Sequence, residues 1–180
     1  MSILLLLVVL LLSGGHILQN APLPVAAGSV NQSGPDLLSS EQVSKLLPPA
    51  VFFKGQSAPL QLRNAAAARF ADGAVLFASL VDTSGYSSNV RERYQFYLVT
   101  ETPLAVADKA LAAGAYGAGF LEDGTFVVMD IGGHDVLLSR TQKDDTMHRP
   151  RPLQLVAGTK AGELRLYLGR SFITLTRTGR

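Results

Sequence analysis

The residues with the most chemistry in them lie between positions 130 and 148. Asp130-Ile131-Gly132-Gly133-His134-Asp135 sets two carboxylates and an imidazole close together, and Asp144, Asp145 and His148 follow. A hydrolytic zinc centre needs three protein ligands and one open position, and these residue types could supply them. No His-Glu-x-x-His spacing arranges them, and the alternating Asp/Asn of an EF-hand calcium loop is missing. Asp135 and Gly132-Gly133 equally read as turn formers, with His134 a surface or hydrogen-bonded histidine. A triad of Ser84, His134 and Asp130 would depend wholly on tertiary structure, because the chain has no Gly-x-Ser-x-Gly elbow. With no cysteine in the chain, thiol nucleophiles, disulfides and thiolate zinc sites are excluded. A Walker loop is missing. Residues 114–119, GAYGAG, neither follow the Rossmann fingerprint nor open a helix. No cofactor is expected.

The stretch that must position these residues is 111–138, read as a hairpin, a glycine turn and a third short strand. Asp-Gly between apolar runs is a strong hairpin signal, because a type I′ turn needs positive φ at both central residues. With Asp123-Gly124 as that turn, Glu122 pairs with Thr125, Phe120 lies opposite Val127, Ala118 opposite Met129 and Tyr116 opposite Ile131. That face is wholly apolar and is expected to be core. The other face carries Leu121 with Phe126, Gly119 with Val128, and Gly117 with Asp130. Glycine at alternate strand positions weakens a strand unless something needs the space. One reading is a bend, or a helix or loop packed close. The other is a ligand lying against Gly117 and Gly119, with Asp130 at its edge.

The rest of the chain is read around that unit. Residues 1–12, MSILLLLVVLLL, are too short an apolar run to span a bilayer comfortably. Followed by Ser13-Gly14-Gly15, they fit a secretory signal peptide, assigned to 1–21 with an uncertain cleavage point and without the usual basic n-region. Residues 22–38 are rich in small residues and proline and read as a flexible linker. Residues 39–48 form a short helix, with Ser39 and Gln42 spaced as a capping box and Pro48-Pro49 as the stop. Residues 49–180 are a β-rich domain of many short strands. Residues 75–81 are apolar on both faces. Gly169-Arg170 suits a type II′ turn that sets Leu166 opposite Ile173 and Leu164 opposite Leu175. The fold class expected is mainly β: a single antiparallel β-sandwich or small barrel-like domain, leaning slightly to the curled form, with a short N-terminal helix.

Net charge is +2 and the basic residues are scattered, so the electrostatic footprint of a nucleic-acid binder is absent. Two long polar connections, 82–92 with Tyr86 and Arg91 and 139–151 with His148, are the loops to suspect of function. Residues 111–116 (LAAGAY), 81–86 (VDTSGY) and 127–135 (VVMDIGGHD) together resemble uncharacterised exported β-domain proteins of soil-type bacteria. The resemblance covers roughly residues 51–176. It implies export and a β fold, and carries no activity and no site residues.

The resulting expectation is an exported protein, periplasmic or extracellular. It would be a non-enzymatic domain that binds a small molecule or an envelope protein. Its candidate ligand-binding residues are Tyr86, Arg91, Gly117, Gly119, Asp130 and His134. A membrane would be met only through an uncleaved leader. The alternatives are a hydrolase or metal-dependent enzyme using Asp130, His134 and Asp135, and a purely structural envelope component.

Overall fold

The computed structural model describes residues 34–179. The expected signal peptide and most of the expected linker lie outside the described residues. In chain order the elements begin with β1 (Asp36–Leu37), α1 (Ser40–Leu46), β2 (Ala50–Phe53), β3 (Gln56–Arg69) and β4 (Val75–Val81). Next come α2 (Ser88–Arg93), β5 (Phe96–Thr100), β6 (Leu104–Val106), β7 (Lys109–Leu111), β8 (Gly114–Phe120) and β9 (Thr125–Met129). The last are β10 (Asp135–Arg140), β11 (Gln142–Lys143), β12 (Leu153–Ala157), β13 (Glu163–Leu168) and β14 (Ser171–Arg177).

Among the described residues the strands form two antiparallel sheets and no closed barrel. The first runs β1-β3-β4-β5-β8-β9-β10, with β2 also on β3; the second runs β12-β13-β14-β6-β7, with β11 also on β14. Their facing sides bury Leu76, Phe96, Leu98, Phe120 and Phe126 of one sheet against Leu104, Leu164, Leu166, Ile173 and Leu175 of the other. A second apolar layer covers the outside of the first sheet. There α1 contributes Val43, β2 contributes Phe53, and Tyr86 and Tyr94 come from the segment around α2. The central strands are therefore buried on both faces, which is why 75–81 and 117–129 carry no clean polar alternation.

Local chemistry accounts for the joints. Ser39 caps α1 as expected: its hydroxyl accepts from the Gln42 N–H at 3.4 Å and the Gln42 side chain accepts from its N–H at 2.8 Å. Gly169 has φ +60°, and the β13–β14 register sets Leu166 against Ile173 and Leu164 against Leu175, as the type II′ reading requires.

The central hairpin differs by one residue. Phe120 pairs with Phe126, Gly119 with Val127, Ala118 with Val128 and Gly117 with Met129. The Leu121 N–H donates to the Thr125 carbonyl and the Gly124 N–H to the Leu121 carbonyl. Gly124 has φ +81°, while Asp123 is not left-handed. The turn is thus a three-residue loop closed by a glycine bulge, not a type I′ pair. A one-residue slip exchanges faces. Phe126 and Val128 turn to the inter-sheet core, while Val127 and Met129 go to the outer layer.

Other corrections are local. Asp36 and Leu37, inside the expected linker, pair with Arg69 and Ala68. Residues 60–69 lie within the single long strand β3, which has a register shift between Leu60 and Ala65. β6 is an interior strand, with β7 outside it. Tyr94 precedes β5 and joins the outer layer, while Phe96 and Leu98 of β5 face the inter-sheet core.

Candidate functional site

The sequence-derived candidates lie mostly on the outside of the first sheet, where the chain covers itself. Gly117 and Gly119 are both buried beneath this layer. A Cβ at Gly117 would overlap the Phe53 ring and stand 2.8 Å from Tyr94 Cδ2. One at Gly119 would overlap the Arg93 carbonyl oxygen. Phe53 and Tyr94 stack with centroids 3.8 Å apart, and Tyr86 meets Tyr94 edge-on at 5.7 Å. The space left by the glycines is filled by these rings and by the end of α2, so the ligand expected against them has no room. Tyr86 is buried too, and its hydroxyl donates to the carbonyls of Phe53 (2.9 Å) and Gln56 (3.1 Å). Burial pushes its pKa up. The Tyr94 hydroxyl is buried without a partner among the described residues, and burial raises its pKa further. Connection 82–92 is not open loop: α2 occupies its second half, with Arg91 exposed on it.

Asp130 and His134 do meet. The His134 N–H donates to Asp130 Oδ1 at 2.9 Å and its ring Nδ1 lies 3.0 Å from Oδ2. The His134 N–H first, then the ring, hold the Asp130 carboxyl below its ordinary value. Asp130 N–H to the His134 carbonyl and Gly133 N–H to the Asp130 carbonyl repeat the bonding of the 121–125 loop, again with a left-handed glycine at φ +88°. Asp135 instead forms an ion pair with Arg93, and Ser84 is held in a turn by Asp82 Oδ1 at 3.0 Å. Among the described residues no group of three His, Asp or Glu side chains stands close enough to hold a metal. Aspartate as turn former recurs at Asp72, Asp82, Asp123 and Asp144, each accepting a backbone N–H two residues on.

An open cleft of about 640 Å³ lies at one end of the sandwich, lined from three places. The β8–β9 loop supplies Phe120 to Gly124, the β10–β11 junction supplies Thr141, Gln142 and Lys143, and the β13–β14 hairpin supplies Leu168 and Ser171. The Thr141 N–H (2.9 Å) and hydroxyl (3.0 Å) donate to the Gly124 carbonyl, and Arg140 Nη1 donates to the Asp123 carbonyl at 3.2 Å. These bonds lock the first two walls together. Backbone pairing of Gln142 with Phe172 and Lys143 with Ser171 fixes the third. Thr125, with Arg140 behind it, keeps Asp123 acidic.

The side chains of Glu122, Gln142 and Lys143 are exposed, and Lys143 makes no ion pair among the described residues. The cleft therefore offers an acceptor carboxylate, a donor ammonium, an amide of both kinds and the Ser171 hydroxyl, with Phe120 and Leu168 as apolar surface. None of these residues stood out in the sequence, because they converge only through three separate turns. The one legible signal was the long connection 139–151, whose first residues form one wall.

No known protein family, curated protein or solved structure matches the chain.

Proposed function

We propose that this chain is an exported, non-enzymatic binding domain that holds a small polar ligand in the end cleft of its sandwich. The observation that carries this reading is the cleft itself. At about 640 Å³ it falls within the range of small-molecule sites, about 300–1,000 Å³, and combines apolar surface with a few convergent polar groups. Its donors and acceptors of both signs suit a neutral or zwitterionic molecule better than a strongly charged one. The apolar run at residues 1–12 supports export. Asp130 is held by His134 within its own turn while Asp135 is drawn away to Arg93, and this separation of the three favours binding over catalysis.

The test is an NMR titration of the isotope-labelled protein with monosaccharides, free amino acids and short polyols. A binding ligand is expected to shift amide resonances at 120–124, 141–143 and 168–171, and Lys143→Ala with Gln142→Ala is expected to abolish those shifts. Shifts centred on residues 130–135 instead would overturn the reading.

A further inference from the structure

Two hairpin tips meet on the first sheet and present apolar side chains to solvent. The β2–β3 turn, Lys54-Gly55, is left-handed at both residues, with φ +50° and +75°. The Lys54 N–H donates to the Ile131 carbonyl at 2.8 Å, tying this turn to the β9–β10 loop. The Lys54 stem crosses Gly133, whose added Cβ would stand 2.6 Å from Lys54 Cδ. From these joined tips project Phe52, 71% exposed, and Ile131, 58% exposed. Val136 and Leu138, on β10, are exposed as well.

Several features narrow what could cover these side chains. β10 is the free edge of its sheet, but a register shift between Asp135 and Leu137 kinks it. Lys109 Nζ already donates to the Leu138 carbonyl at 2.6 Å. Both devices obstruct an added strand, from a peptide or from a second copy. The tips are turns, so they offer no groove for a helix. Asp130 is engaged by His134 and Asp135 by Arg93, while Lys54 has no carboxylate partner among the described residues. Protruding apolar side chains beside an unpaired ammonium suit an interface of acyl chains and anionic headgroups.

We propose that the joined β2–β3 and β9–β10 tips insert Phe52 and Ile131 into the headgroup–acyl boundary of a phospholipid bilayer, with Lys54 on lipid phosphate. This membrane contact is separate from the leader, to which the sequence confined any membrane association, and independent of the end cleft.

The chain has no cysteine, so a single introduced one can carry an environment-sensitive dye. Ser57 is exposed and pairs with Phe52 across the hairpin, so Ser57→Cys reports on the tips without removing them. Lys160→Cys, on the β12–β13 loop, is the control. The full chain is mixed with vesicles of phosphatidylcholine, with and without phosphatidylglycerol and nitroxide-quencher lipid. The dye at position 57 is expected to shift to the blue and be quenched, and the dye at 160 to stay in water. Phe52→Ser with Ile131→Ser should return position 57 to the control signal while leaving the thermal midpoint in place. Lys54→Gln should weaken the preference for phosphatidylglycerol about fivefold. Vesicle-bound protein whose position 57 stays in water would refute the proposal, since another segment would then hold it. So would failure to bind vesicles. A blue shift without lipid that grows with protein concentration would assign the tips to a second copy instead.

Discussion

Replacing Gly119 by alanine separates packing from propensity, because the two give opposite signs. Where a strand glycine is unconstrained, alanine stabilises by roughly 0.4–1 kcal/mol through the unfolded state. At Gly119 the new methyl would overlap the Arg93 carbonyl oxygen and stand 3.0 Å from its carbon and 3.3 Å from Gln95 Cδ. Backbone cannot rotate away as a side-chain tip can. Gln95 is held from both sides, donating to the carbonyls of Glu92 (2.9 Å) and Phe120 (3.0 Å) and accepting from the Phe120 N–H (2.9 Å). Relief therefore requires moving the end of α2, and with it the Arg93–Asp135 pair and buried Tyr94. Overpacking costs about 1–3 kcal/mol, and weakening a side-chain hydrogen bond adds about 1 kcal/mol. The expected loss is about 3 kcal/mol, equivalent to roughly 6–12 °C in a domain of this size. Urea unfolding at constant m measures it. Gly85→Ala is the control, since its nearest neighbour is Gln56 Oε1 at 3.8 Å, and should change stability by less than about 0.5 kcal/mol. A Gly119→Ala protein as stable as the parent would refute the close-packing account of the strand glycines.

Four further outcomes follow from individual side chains. Tyr86→Phe leaves the Phe53 and Gln56 carbonyls without their shared donor and should cost about 1–2 kcal/mol. Tyr94→Phe removes a buried hydroxyl that has no partner among the described residues and should be neutral or stabilising by denaturant midpoint. Ala107 adopts φ +54° in the β6–β7 turn, so Ala107→Gly should raise stability by up to about 1 kcal/mol in the same assay. The folded-state pKa of Asp130 is depressed. Its contribution is therefore present above the ordinary value of 3.8 and is lost as pH falls through the lower folded value. Thermal midpoints measured from neutral pH downward should fall more steeply below pH 3.8 in the parent than in Asp130→Asn.

Sequence conveyed most where one face of a strand is polar and a turn admits a single type. The β13–β14 hairpin met the second condition, and although Tyr167 and Phe172 are buried on the face they share with Arg165 and Thr174, its register followed from Gly169 and the alternation of leucines. The β8–β9 hairpin met neither. Asp123-Gly124 is compatible with both a two-residue and a three-residue loop, and apolar residues on both faces gave nothing to choose between adjacent registers. α2 escaped notice because its residues, SNVRER, include none that are buried, so no helical apolar period exists to be read. The glycines at 117 and 119 announced a close approach, but not that Phe53 and Tyr94 would come from distant segments to make it. The Asp130–His134 cluster looked like ligands because the residue types for metals and for turns coincide. Only the geometry shows Asp135 turned to Arg93. The cleft was the least legible feature, since Glu122, Lys143 and Ser171 meet only through tertiary structure.

The central claim is a ligand held in the end cleft, and the most direct measurement is native mass spectrometry of the full chain purified without chelator. A small organic adduct at stoichiometric level is predicted, lost in Lys143→Ala with Gln142→Ala and kept in His134→Ala. A stoichiometric metal that vanishes in His134→Ala would contradict the account, as would an adduct that survives the cleft substitutions.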